Sequence, residues 1–226
     1  TSVIPVLYKD LKLNLLDTPG YMDFIGEVIS AMRVADCAVV LIDSVAGLEV
    51  GTEMAMQYAA QFNLPMIMVV NKMDRDNANF QKAIASVEEG TDYRLIPMQL
   101  PWGEKANFQG VIDLVSMKAY KGDGKTVVDI PAEYKTQADE ARLKLVEAAA
   151  EGEDALLERY FENGGLSDEE ILQGMRKAIG TSNVIPVLVA AGAHMIGTGP
   201  LLDALIALAP SPLGRPAAVA HYPQGE

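Results

Sequence analysis

Two short stretches carry residue types that could do chemistry. In "LNLLDTPGYMDFIGEV", residues 13 to 28, an apolar run ends in Asp17 and is followed by Thr18, Pro19 and Gly20. In "LPMIMVVNKMD" a second apolar run ends in Asn71, Lys72, Met73 and Asp74. A carboxylate closing a strand can hold a metal ion, directly or through water. A nearby glycine lets a backbone N–H approach a phosphate with no Cβ in the way. Asp74 can accept two hydrogen bonds from adjacent N–H groups of a planar base, a pair that guanine offers and adenine does not. A site built on buried hydrogen bonds rejects a base that leaves them unpaired. Lys72 would lay its stem along such a base, and Asn71 would tie loops together. Taken alone, "DTPG" also reads as a Pro-Gly turn after a strand and "NKMD" as a Lys–Asp surface turn.

The elements that must position these residues alternate along the chain. "SVIPVLY" and "LKLNLLD", separated by Lys9 and Asp10, read as a hairpin. Residues 22 to 34 place Phe24, Ile25, Val28, Ile29 and Met32 at helical spacing. "CAVVLID", "LPMIMVVN" and "NVIPVLVAAG" are short apolar strands, and "TEMAMQYAAQF" and "GPLLDALIALA" are helices. Buried apolar strands alternating with helices indicate a parallel sheet covered on both faces. In open α/β sheets ligands gather at the carboxyl ends of the strands. Asp17 and Asn71 are both expected there, each closing a buried strand. Residues 93 to 131 break into strand-like pieces punctuated by Gly and Pro. Residues 132 to 162 read as one long charged helix, and Ser167 with Glu170 reads as a capping box opening another. The spacing therefore predicts a main domain over 1–92 and 183–210, an inserted α+β subdomain over 93–182, and a Pro-rich linker over 211–226.

Composition narrows the function classes. The 226 residues are 50% hydrophobic and 6% aromatic, enough for a sizeable core. A formal net charge of -13 argues against holding nucleic acid through a general field, and no direct DNA binding is expected. No apolar run reaches the roughly eighteen residues of a membrane span, so no membrane partner is expected. The single Cys37 excludes an internal disulfide, suits a reducing cytoplasm and reads as a small buried hydrophobe. His194 and His221 stand without a Cys or carboxylate at ligand spacing, which argues against a metal site at either. Arg33 reads as a helix-surface arginine, Trp102 as a packing residue of the insertion, and the methionines as core.

With these motifs in order, the chain resembles the translational GTPases, and within them bacterial elongation factor G. "DTPGYMDFIGEV", "AVVLIDSVAGLEVGTE", "LPMIMVVNKMDRDNANF", "FQGVIDLVSMKAY" and "APSPLG" carry the resemblance across nearly the whole chain. It implies an α/β fold of the P-loop-GTPase type, a mostly parallel sheet with helices on both faces and a small α+β subdomain inserted. It also implies GTP or GDP as ligand, Mg²⁺ as cofactor, the ribosome as partner and a cytoplasmic location. By the same resemblance Asp17 would carry Mg²⁺, through water, and sense the γ-phosphate. Thr18, Pro19, Gly20 and Tyr21 would adjoin the nucleotide, with Gly20 as the switch glycine. Asn71, Lys72, Met73 and Asp74 would read guanine. The third base-contacting loop, usually Gly-Ser-Ala, matches Ala190, Ala191 and Gly192, where a backbone N–H contact to the base survives but a serine hydroxyl contact does not.

The sequence departs from that family twice. No Gly-x-x-x-x-Gly-Lys-Ser/Thr loop occurs in it, so the phosphate cradle, the phosphate lysine and the metal-binding hydroxyl are missing. The resemblance is thus to a domain lacking its first strand and P-loop, and little or no GTPase activity is expected of these residues alone. Histidine usually follows the DTPG motif and positions the attacking water; here Tyr21 stands in that place. A phenol with a pKa near 10 is a poor proton acceptor at pH 7. Three functions follow. One is the GTPase domain of an elongation-factor-G-like protein acting in translocation or recycling. The second is a non-hydrolysing ribosome-binding paralogue. The third is a ribosomal protection factor of the tetracycline-resistance kind.

Overall fold

The computed structural model describes residues 1–122, 124–181 and 183–214. Its centre is a four-stranded parallel sheet in the order β3 (Ala38–Asp43), β4 (Met66–Asn71), β10 (Val184–Val189), β5 (Arg94–Pro97). β10 is buried at every residue and β4 at all but Asn71. Strands buried on both faces need helices on both faces, and this is why they read as unbroken apolar runs. The flanking helices are α1 (Ile25–Val34), α2 (Val50–Gln61), α3 (Phe80–Gly90) and α7 (Thr198–Leu208), joined from the insertion by α4 (Ala132–Glu151), α5 (Asp154–Asn163) and α6 (Asp168–Thr181). This is the α/β architecture anticipated from the alternation of elements.

The hairpin of β1 (Ser2–Tyr8) and β2 (Leu11–Asp17) forms as expected, with Lys9 and Asp10 both at positive φ in its two-residue turn. Its placement corrects the sequence reading. The hairpin is a separate two-stranded sheet, and β2 carries no fully buried residue. Leu7 is 82% exposed and Leu11 and Leu15 are also open to solvent. An apolar run signals a strand, but burial needs neighbours on both faces, and β2 has a ladder partner only in β1. Asp17 therefore closes an exposed strand. At the hairpin's turn, Lys9 Nζ reaches Asp203 Oδ1 on α7 at 2.6 Å.

The insertion is built on an antiparallel sheet of β6 (Gln99–Trp102), β7 (Gly110–Asp113), β8 (Lys118–Lys121) and β9 (Val127–Asp129). "RLIPMQLP", read as one piece, divides at Met98 between the two sheets. Met98 donates its N–H to Val187 O on one side and accepts from Leu114 N on the other, at 2.9 and 3.0 Å. The expected boundary at residue 93 is corrected accordingly, because β5 pairs with β10 in the parallel sheet. The single helix expected over 132 to 162 is also corrected. It ends at Gly152, and Glu153 is extended (φ −156°, ψ 127°) before α5 begins. The bend brings α4 onto α6 so closely that a Cβ on Gly174 would lie 2.1 Å from the Ala149 carbonyl oxygen. The Ser167 capping box is present. Glu170 Oε2 accepts from the Ser167 N–H at 2.9 Å, and Ser167 Oγ accepts from the Glu170 N–H at 3.3 Å. Trp102 is buried in the insertion, and six of the methionines lie in the core. Of the expected linker, residues 215–226, His221 among them, lie outside the described residues.

Candidate functional site

The carboxyl ends of β3, β4 and β10 converge on one network. β3 and β4 run in register, with Asp43 opposite Asn71, so two polar side chains leave the sheet side by side. After Asn71 the chain turns sharply: Lys72 has φ 63°, in the left-handed region. The turn is held from β3, because buried Ser44 donates its hydroxyl to Lys72 O at 2.8 Å and its N–H to Asn71 O at 3.0 Å. Lys72 Nζ donates to Asp43 Oδ2 at 2.7 Å, which fixes where the lysine stem runs. Asp43 also accepts from the N–H groups of Val45 and Ala46. Partial burial pushes its carboxyl up, but the Lys72 bond, the two N–H bonds and the lysine charge outweigh this. Its pKa therefore lies below the ordinary carboxylate value.

The loop after β10 closes the network from the other side. Asn71 Oδ1 accepts the Gly192 N–H at 2.9 Å, so Asn71 ties the two loops as its residue type suggested. Ala190 and Ala191 are buried and continue the strand. The Ala190 N–H donates to Val70 O at 3.0 Å, and the Ala191 N–H to Ile196 O at 3.0 Å. The N–H groups of Ala190, Ala191 and Gly192 are thus all engaged within the protein, and the loop acts as a clamp on Asn71.

The insertion braces both loops. Gln99, fully buried on β6, accepts the Val189 N–H through Oε1 at 3.1 Å, beyond the point where β5 stops pairing with β10. The Lys105 N–H donates to Met73 O at 2.8 Å. Met73 is itself buried and packs into the core, so it supports the loop from below.

Asp74 is the outermost member. Its Oδ2 lies 2.7 Å from Nδ1 of His194, with the histidine side chain 67% exposed and the aspartate 19%. His194 looked isolated because 120 residues separate the pair; no local spacing could reveal it. Asp43 and Ser44 were also passed over as site residues. A signal for Asp43 existed: like Asn71, it is a polar residue closing a wholly apolar strand.

The Asp17–Tyr21 stretch stands on the hairpin side and shares no hydrogen bond with this network among those described. Asp17 is exposed. A Cβ on Gly20 would meet nothing within 4 Å, so no close approach within the protein demands glycine there. A Cβ on Gly51, at the start of α2, would meet the Gly20 carbonyl oxygen at 3.8 Å, which places the turn beside that helix. Tyr21 is 78% exposed and does not pack into the core. Among the described residues no group of three or more His, Cys, Asp or Glu side chains is arranged to hold a metal ion. Asp17 is an exposed carboxylate that belongs to no such group. No helix among the described residues is long and apolar enough to cross a membrane.

A family model described as "Elongation factor Tu GTP binding domain" matches residues 1–211. The chain is also similar to a crystal structure of a protein from Thermus thermophilus, with 32% identity and a TM-score of 0.85. That match covers 93% of this chain but 32% of the other, so the chain spans about a third of that protein's length.

Proposed function

The chain belongs to the elongation factor Tu GTP-binding domain family, and from that premise we propose that it is the guanine-reading part of an elongation-factor-G-like translation factor acting on the ribosome in the cytoplasm. Family membership implies guanine-nucleotide binding. The observation that supports guanine reading is the Asn71–Gly192 bond, which holds the loop bearing Lys72 and Asp74 against the loop after β10.

In this reading Asp74 accepts the paired N–H groups of guanine, the lysine stem lies along the base, and Asn71 fixes the loops. Asp17 would serve the phosphate end and hold Mg²⁺ through water. That ion would neutralise phosphate charge. Thr18, Pro19 and Gly20 adjoin the same end, and Tyr21 stands where the attacking water would be positioned. The Asn71–Asp74 loop and its brace at Gly192 are the base-reading elements among these residues. The sequence contains no Gly-x-x-x-x-Gly-Lys-Ser/Thr loop, so these residues supply recognition of the base more than of the phosphates.

The test is an amide NMR titration of the 226-residue chain with GDP and, separately, ADP at millimolar concentration. GDP is expected to move the signals of Asn71, Lys72, Asp74 and Gly192, and ADP to leave them in place. Equal responses to both nucleotides, or none to GDP, would overturn the reading. A non-hydrolysing variant of the same function is favoured by Tyr21, an exposed phenol where the family usually carries a histidine.

A further inference from the structure

The His194–Asp74 contact bears directly on base recognition. Guanine presents N1–H and N2–H side by side, and a carboxylate receives them best with both oxygens. In this structure the Oδ2 of Asp74 is already engaged by the His194 imidazole at 2.7 Å. We propose that His194 is a displaceable plug of the base-reading carboxylate: it holds Asp74 in the nucleotide-free site and must yield before guanine is read. The inference rests on the guanine reading above and deepens it.

The local build allows such a movement. Gly192–His194 is a single 3-10 turn, followed by Met195 at φ 58°. The turn is closed at its base by the reciprocal Ala191–Ile196 backbone bonds of 3.0 and 3.2 Å. That bridge fixes where the loop starts and ends while His194 projects from its tip, mostly in solvent. Swinging the ring away therefore sacrifices one hydrogen bond and almost no packing. Asp74 does not have the same freedom. It is largely shielded, and its loop is pinned by Ser44, Asn71 and Lys105. The moving partner is the histidine, and the carboxylate stays aimed at the base position.

A plug of this kind lowers affinity for every ligand that needs the Asp74 acceptor and leaves others untouched. Trading a protein hydrogen bond for a ligand one costs roughly what one net hydrogen bond is worth. Removing the plug should then tighten GDP binding about threefold to tenfold. His194→Ala removes ring and donor together. His194→Phe keeps a ring but no nitrogen, and separates hydrogen bonding from bulk.

The experiment is the GDP titration of the 226-residue chain, read on the Asn71 and Gly192 amides, for the parent and both variants. A nucleotide-independent reading accompanies it: the ¹⁵N shift of His194 Nδ1 should change in Asp74→Asn. Tighter GDP binding in both variants, with ADP unaffected, is the expected result. Unchanged or weaker GDP binding in both would overturn the plug while leaving guanine recognition standing. Tightening by alanine but not phenylalanine would overturn the hydrogen-bond mechanism. No GDP response in any of the three chains would overturn the guanine reading, and the plug with it.

Discussion

Asn71 Oδ1 accepts the backbone N–H of Gly192 at 2.9 Å, joining two loops that lie 121 residues apart in the chain. The bond makes the end of β4 and the end of β10 a single unit. Asn71→Ala should release the Gly192 amide, whose hydrogen exchange should quicken. GDP-induced shifts at Lys72 and Asp74 should shrink, because their loop loses its brace. The net stability cost should be about 1 kcal/mol, the worth of one ordinary hydrogen bond. Unchanged Gly192 exchange would show that the loops are held by something else.

Gln99 performs a related task from the insertion. It supplies the acceptor that a longer β5 would have offered to Val189. Gln99→Leu keeps the volume but strands a buried N–H. It should destabilise the protein by about 1 to 3 kcal/mol in denaturant unfolding, and the loss should be accompanied by faster exchange at Val189.

The capping box of α6 gives a pH signature. Hydrogen bonds from the Ser167 N–H, Arg159 and the Ser167 hydroxyl hold the Glu170 carboxyl down at about 2. The folded-state pKa is depressed, so the stabilisation is complete above the ordinary glutamate range. It is lost as pH falls from about 4.5 towards 2. Thermal melts of the parent and Glu170→Gln should therefore converge as the pH is lowered through that window. A gap that stays constant with pH would count against the ionised cap.

Cys37 should be slow to react. Burial, with help from the Asp36 charge, pushes its thiol up to about 12. The reactive thiolate is therefore much scarcer than in free cysteine. Labelling by a thiol reagent should be far slower in the folded protein than in denaturant. Equal rates would mean that the β3 entrance opens readily.

Tyr21 offers a test of chemistry in a chain extended by a phosphate-binding loop and assayed on ribosomes. Its side chain is exposed and free of core packing. Phosphoryl transfer depends on positioning and electrostatics. Tyr21→His should raise single-turnover hydrolysis with little change in GTP affinity. A tenfold gain would correspond to about 1.4 kcal/mol of barrier. If Tyr21→His is no faster and Tyr21→Phe equals the parent, the residue has no part in positioning water.

Where physics is local, the sequence alone was sufficient. The two-residue hairpin turn, the Ser167–Glu170 cap and the apolar strands ending in Asp43 and Asn71 are set by interactions within a few residues. So is the order of donors and acceptors in "NKMD". Tertiary structure decided what depends on partners distant in the chain. The apolar pattern of β2 shows a strand, but only the sheet pairing shows that it stands outside the central sheet and leaves Asp17 exposed. "RLIPMQLP" is extended throughout, but its division at Met98 is dictated by which carbonyls and N–H groups the two sheets offer. The break at Gly152 follows from packing α4 against α6 and not from the charge pattern that runs through it. The ties that shape the site are Lys72 to Asp43, Gly192 to Asn71, Val189 to Gln99 and His194 to Asp74. Each spans at least 29 residues. A side chain's identity says which hydrogen bonds it can make, and the fold alone says which partner is within reach.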